Sequence, residues 1–155
     1  MPLAIAKQLK ADYPEIIFAK DSYFSWSNKQ QTIFYIDTET EANTAQILHE
    51  LAHALLEHTD YPKDITLIDM ERQAWELAVE QLAPKYGISL KLTDDIVQNS
   101  LDSYRDWLHA RSKCPSCGAT GFEKTKNHYF CPNCLGSWRV NDAKFCQLRR
   151  YKTRV

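Results

Sequence analysis

Hydrophobic and polar residues repeat along this chain with two different periods, one typical of helices and one of strands. In four segments, apolar residues recur every three or four positions, as they do on the buried face of a helix. These segments are residues 2–13, 38–58, 68–84 and 93–112. In residues 38–58 the apolar stripe is wide, which indicates a helix packed firmly against a core.

The strand period appears between the first two predicted helices. Residues 15–20 and 22–27 are β-branched and aromatic, and we expect them to pair with each other around a turn at Lys20–Asp21. In residues 31–37, Ile33 and Tyr35 alternate with Phe34 and Ile36, which predicts a further strand. The fold class expected is α+β, with a small antiparallel or mixed sheet and three to four helices.

Composition divides the chain near Arg111. All five cysteines and three of the four glycines lie after residue 111. Residues 1–110 hold 9 basic and 18 acidic side chains, a net charge of −9, whereas residues 111–155 hold 10 basic and 2 acidic ones, a net of +8. We therefore predict a main domain over 1–110 and a small basic module over 111–155. The absence of long apolar runs and of a secretory signal predicts a cytoplasmic protein without membrane contact.

The third predicted strand is followed by the helical stretch ILHELAHALLEH, which places His49 and His53 four residues apart. Residues at this spacing lie on one face of a helix, about 5–6 Å apart at Cβ, so both imidazoles can reach one metal ion. Glu50 lies beside them, where its carboxylate can contact a water on that metal without binding the ion itself. Because buried histidines need partners for their nitrogens, this apolar helix favours a zinc site over a structural role.

A third protein ligand is expected from the next helix, where the candidates are Glu71 and Glu76. Glu71 shares a helical stripe with Ala74, Ala78 and Leu82, which should face the core. Glu76 lies about 140° away on the polar side. The helical-face argument therefore favours Glu71 as the ligand. His58 is expected to be a helix-end residue and not a ligand.

The cysteines form a second candidate metal site. Two Cys-x-x-Cys pairs, thirteen residues apart, predict a four-thiolate structural zinc ribbon, with ligands Cys114, Cys117, Cys131 and Cys134. The alternative is a pair of disulfides. Because four protein ligands leave no open position on the metal, no catalysis is expected there. The sequence thus predicts two zinc ions, one catalytic and one structural.

The basic module also carries aromatic residues among its cations, a combination compatible with nucleic-acid binding. The candidate phosphate contacts are Lys124, Lys126, Arg139, Arg149, Arg150, Lys152 and Arg154. A merely solvated basic surface is the alternative explanation. We predict a possible nucleic-acid partner for this module in addition to a protein substrate for the main domain.

Residues 30–90 resemble the ImmA/IrrE family of metallopeptidases. The matching stretches are FYIDTETEANTAQILHELAHALLEH and MERQAWELAVEQLAP. The resemblance implies a zincin-like fold and a gluzincin-type zinc endopeptidase with His49, His53 and Glu71 as ligands and Glu50 as general base. It also implies a regulatory, repressor-like protein as the substrate, in control of a phage or mobile element.

The chain departs from that family pattern after the ligand glutamate. Relatives carry Asn or Asp four residues later, where this chain has Trp75, and Gln73 stands where an acidic residue is common. Two alternative functions follow. One is a non-catalytic, zinc-dependent DNA-binding regulator. The other is a SprT-like protease acting on DNA-bound proteins, although such proteases take a third histidine as ligand and no histidine of this chain lies at a suitable downstream position.

Overall fold

A computed structural model describes residues 1–141 and 148–153. These residues form two compact units. The first contains Met1–Thr59 and Met70–Asn99, and the second contains Asp60–Asp69 and the chain from Ser100 onward. Both contain helix and sheet, so the α+β class is confirmed.

The elements follow one another in an order close to the predicted one. The helices are α1 (Ala4–Asp12), α2 (Glu41–Leu55), α3 (Asp64–Leu77), α4 (Ala83–Lys85) and α5 (Asp95–Ser112), with a π-helical turn at Ala78–Leu82. The strands are β1 (Ile17–Lys20), β2 (Ser25–Ser27), β3 (Thr32–Tyr35), β4 (Phe122–Thr125), β5 (His128–Phe130), β6 (Ser137–Val140) and β7 (Arg150–Thr153). Helix α3 begins four residues before the predicted start.

The first unit contains a three-stranded sheet in the order β1-β3-β2. Strand β1 is parallel to β3, and β2 is antiparallel to it. The predicted pairing of β1 with β2 around Lys20–Asp21 is therefore wrong. The hairpin is formed by β2 and β3 instead, around a turn in which Ser27 Oγ accepts a hydrogen bond from the Gln30 N–H and Gln31 adopts a left-handed φ of 50°.

Helix α2 supplies much of the core of the first unit. Thr40 caps its N-terminus, because its side chain accepts a hydrogen bond from the Asn43 N–H at 3.0 Å. The helix buries Ile47, Leu48 and Leu51 completely, as its apolar stripe predicts. The π-helical turn lies just before Pro84, whose nitrogen cannot donate a hydrogen bond to the preceding turn, and this loss accounts for the altered pairing there.

The second unit is built on an antiparallel sheet in the order β4-β5-β6-β7. Its core contains Tyr129 and Trp138, whose rings stack at 5.6 Å. Gly121 is required beside them, since a Cβ at this position would lie 2.5 Å from both the Phe130 carbonyl oxygen and the Trp138 ring.

A buried ion pair is the main polar feature of the second unit. Arg111 Nε donates to Asp64 Oδ2 at 2.7 Å, and both side chains are almost completely buried. The Tyr129 hydroxyl donates to the same carboxylate oxygen at 2.6 Å. A buried charge of this kind requires such partners, so the network holds the start of α3 and the end of α5 against the sheet.

Candidate metal centres

In the first unit, α2 and α3 bring together three side chains that can bind a metal ion. His49 and His53 lie one turn apart on α2, and Glu71 lies on α3. All three are buried. Glu76, the rival candidate for the third ligand, is partly exposed and forms an ion pair with Arg72. The structure therefore brings Glu71, and not Glu76, to the two histidines.

The three potential ligand atoms surround a single point. His49 Nε2 lies 2.7 Å from Glu71 Oε2 and 3.1 Å from His53 Nε2, and His53 Nε2 lies 3.1 Å from Glu71 Oε1. Atoms bound to one tetrahedral zinc ion at 2.0–2.1 Å are about 3.3–3.4 Å apart. The set of two imidazoles and one carboxylate thus fits zinc with a small expansion, and it leaves the fourth position open.

The charge state of Glu71 also suits a cation. Burial alone would raise the pKa of Glu71, but hydrogen bonds and charge interactions with His49 and His53 hold it far below its ordinary value. In His53, burial alone would lower the pKa of the imidazole, but the hydrogen bond and the charge of Glu71 raise it above the ordinary value. Glu71 is therefore ionised at neutral pH, which is the form in which a carboxylate binds a metal.

Glu50 lies next to these ligands but outside the group of converging atoms. Its side chain is buried, and burial raises the pKa of Glu50 above the ordinary value, although the two imidazoles oppose this shift. The backbone N–H of Trp26 in β2 also stabilises the ionised form of Glu50 and so opposes the raised pKa. Among residues 1–141 and 148–153, β2 pairs with β3 alone, and it packs against α2, the helix that carries Glu50. The sequence pattern contains no signal for this role of Trp26.

Trp75 orients one of the two imidazoles by packing. Its ring stacks on the His49 ring with centroids 4.1 Å apart and an angle of 20° between the planes. Trp75 is fully buried, so the position where the resembled family carries Asn or Asp is filled by an apolar contact. His49 Nδ1 has no hydrogen-bond partner among the described residues. Stacking therefore takes the place of the hydrogen bond that commonly orients a metal-binding histidine.

His58 orients the other imidazole by hydrogen bonding. His53 Nδ1 lies 2.8 Å from His58 Nδ1, and His58 Nε2 lies 3.3 Å from Gln73 Oε1. A metal at His53 Nε2 would leave the proton of the neutral imidazole on Nδ1, from which His53 can donate to His58 Nδ1. His58 would then carry its own proton on Nε2, which faces the amide oxygen of Gln73. Glu57, with a left-handed φ of 56°, turns the chain after α2 and so places His58.

Replacing His58 by alanine is expected to weaken zinc binding at this centre by about 10- to 100-fold, because His53 loses the partner that fixes its tautomer and ring orientation. Competition with a chromophoric chelator measures the affinity. His58→Asn retains an acceptor and should recover part of the loss. The matched control is His109→Ala, since His109 is an exposed histidine outside the centre. Equal zinc affinities for His58→Ala and His109→Ala would contradict the assignment.

In the second unit, the four predicted cysteines converge on a second point. Their sulfur atoms all lie within 4.8 Å of one another, and Cys114–Cys134 and Cys117–Cys131 are each 3.6 Å apart. Thiolates on one tetrahedral zinc ion are about 3.8 Å apart, given Zn–S bonds of 2.3 Å. All four are free cysteines, so the alternative of two disulfides is wrong.

Local hydrogen bonds shift the pKa values of these thiols in both directions, and although the Gly136 N–H opposes the shift, the pKa of Cys134 is raised to about 11 by the other sulfurs. The Asn133 side-chain amide and the Ala119 backbone N–H lower the pKa of Cys117 to about 6, which favours the thiolate. The Ser116 N–H donates to Cys114 Sγ at 3.4 Å. Four sulfurs around one point could fill every position of a tetrahedral metal ion and would leave none open for a substrate.

The predicted phosphate contacts differ in their surroundings. Lys124 and Arg139 lie over aromatic rings of the sheet, and Lys126 lies 5.0 Å from the centre of the Tyr61 ring. Arg150 donates to the Lys113 carbonyl oxygen, while Arg149 and Lys152 are exposed. Arg154 lies outside the described residues.

Within residues 1–141 and 148–153, no helix has both the length and the apolar character needed to cross a membrane. The chain matches no protein-family model, no curated protein and no solved structure. Chemical assignments for both centres therefore depend on the residues and geometry described above.

Proposed function

We propose that this protein is a zinc-dependent endopeptidase whose active site is built on His49, His53, Glu71 and Glu50. The proposal depends on one observation: three buried ligand atoms converge on a single point with a buried carboxylate beside them. A site with three protein ligands and an open fourth position is typical of catalytic zinc, whereas structural zinc has four protein ligands.

Each residue has a distinct role in the proposed reaction. His49, His53 and Glu71 bind the ion. When bound, zinc supplies polarisation of a substrate carbonyl and a lower pKa for water. Glu50 accepts a proton from the attacking water and then donates it to the leaving amine, so the same carboxylate acts as base and as acid. The backbone N–H of Trp26 stabilises the ionised form of Glu50, which is the form that accepts the proton.

Strand β2 supports a peptide as the substrate. An extended peptide can add to the unpaired edge of a sheet, where backbone hydrogen bonds hold it in register. Because β2 packs against α2, the helix that carries Glu50, a peptide paired with this edge would pass close to the proposed base. An extended chain segment thus suits this site better than a small, compact substrate.

The resemblance to ImmA/IrrE metallopeptidases extends the proposal to the biological substrate. We propose a repressor-like regulatory protein, which is the kind of partner that this family cleaves. The four free thiols favour a reducing compartment, so we place the reaction in the cytoplasm.

Metal content tests the assignment of both centres. The purified wild-type protein is expected to hold two zinc ions per chain by elemental analysis. His49→Ala and Glu71→Ala should each hold one, because each variant loses a ligand of the first centre. Glu76→Ala is the matched control and should retain two, since Glu76 is on the exposed side of the same helix and is paired with Arg72. One ion in the wild type, or two in Glu71→Ala, would overturn the proposal.

A further inference from the structure

The sheet of the second unit has one buried and one exposed face. Tyr129, Trp138 and Val140 point into the core. The cross-strand register then assigns the other face, because directly opposed residues point to the same side and neighbours along a strand point to opposite sides. The register assigns to this open face Phe122, Thr125, His128, Phe130, Ser137, Arg139, Tyr151 and Thr153. Lys124 lies at a bulge between Glu123 and Thr125 and has no register partner, but its Nζ lies over the Phe130 ring and so belongs to the same face.

The open face exposes aromatic rings. Phe122 is 49% exposed and Tyr151 is 41% exposed. Phe130, on the strand next to Phe122, is partly exposed, with the two ring centroids 5.6 Å apart. Aromatic rings in the core of the unit would contribute to its stability, whereas on the outer side of the sheet they contribute little. Flat rings on an exposed sheet face form a platform on which other planar groups can stack.

Cations accompany the rings. Lys124 Nζ lies 4.4 Å from the centre of the Phe130 ring, and the Arg139 guanidinium lies 4.7 Å from the centre of the Tyr151 ring. Glu123 is the one acidic residue in the four strands. It pairs with Tyr129 in the register, so it points away from the open face, and its carboxylate accepts hydrogen bonds from the Asp64 and Asn127 N–H groups. The open face therefore carries positive charge without a carboxylate among its own residues.

We propose that the open face binds single-stranded nucleic acid. Bases would stack on Phe122, Phe130 and Tyr151, while Lys124 and Arg139 neutralise the phosphates. The rings select a single strand because the bases of a duplex already stack on one another and offer no free face. Charge complementarity agrees, since residues 111–155 carry a net charge of +8. This inference does not depend on the proposed peptidase activity.

Fluorescence anisotropy with the full-length protein tests the stacking part of the proposal. The probes are a labelled 15-residue oligothymidylate, the corresponding oligouridylate, and the oligothymidylate annealed to its complement. We expect both single strands to bind more tightly than the duplex. Phe122→Ala and Tyr151→Ala should each weaken single-strand binding by about five- to 100-fold. Tyr23→Ala is the matched control, since Tyr23 is an exposed aromatic residue of the other unit, and should leave binding unchanged.

The charge part of the proposal has its own test. Lys124→Gln and Arg139→Gln should each reduce the slope of log affinity against log salt concentration by about 0.7. Lys152→Gln removes the same charge from a residue that the register places opposite Trp138, on the other face, and should leave that slope unchanged. Equal effects of Arg139→Gln and Lys152→Gln, tighter binding of the duplex, or no binding at low salt would each overturn the proposal. Zinc content should be the same in all of these variants, which separates this test from that of the metal centres.

Discussion

Glu50→Gln is expected to lower peptide hydrolysis by about 100- to 10,000-fold, the range that a positioned general base contributes. Glutamine has nearly the same shape as glutamate, but its neutral amide cannot take a proton from water. Because Glu50 is not among the converging ligand atoms, the variant should retain both zinc ions. The expected result is thus a protein with unchanged metal content and almost no activity.

Cleavage can be measured without knowing the natural substrate. Wild-type protein and Glu50→Gln are each incubated with a peptide library from a cell lysate, and new N-termini are counted by mass spectrometry. Glu57→Gln is the matched control, since it removes a carboxylate just beyond the end of α2. The peptidase proposal fails if the wild type generates no new N-termini or if Glu50→Gln generates as many. A non-catalytic regulator would give either result.

Cys131→Ser is expected to unfold the sheet of the second unit and to remove one zinc ion. Cys131 is fully buried in the core beside Trp138, and its sulfur lies 3.6 Å from Cys117 Sγ. Structural zinc bound by such sites contributes about 10–16 kcal/mol of apparent binding free energy at neutral pH. This exceeds the total stability of most small domains, so losing one ligand should leave this sheet unfolded.

Amide hydrogen exchange measures this loss residue by residue. We expect rapid exchange across β4, β5 and β6 in Cys131→Ser, and a zinc content of one ion per chain. His128→Ser is the matched control, because His128 lies on the exposed side of β5 and is not part of the four-cysteine group. Retained protection in Cys131→Ser, or loss of zinc in His128→Ser, would contradict the four-thiolate assignment.

The helices and the metal-binding residues could be predicted from the sequence because their signals are local. Apolar residues at helical spacing located α2, and the stripe that contains Ala74 and Ala78 was enough to favour Glu71 over Glu76. The Cys-x-x-Cys spacing likewise predicts which sulfurs meet. In each case the sequence signal lies within one helix or one short turn, although the residues that meet come from two of them.

The sheet order and the residues that orient the imidazoles could not be predicted in the same way. Parallel pairing of β1 with β3 leaves no pattern in the sequence of either strand, whereas two short β-branched and aromatic runs joined at Lys20–Asp21 are typical of a hairpin. His58 reaches His53 only because Glu57 adopts a left-handed conformation, which is uncommon for this residue type. The separation of the basic residues onto two faces depends on strand register, which is set by tertiary packing.

The shortness of β2 has a consequence for the choice of substrate. Three residues span about 10 Å, room for only a few backbone hydrogen bonds with a guest chain. Its sequence, Ser-Trp-Ser, carries none of the charges that natural edge strands use to turn other chains away. A strand edge this short and uncharged could pair with extended tails and loops of a partner, but not with a folded helix. If the protein is a peptidase, its choice of substrate would then depend on which partner proteins unfold locally, more than on the residues that flank the cleaved bond.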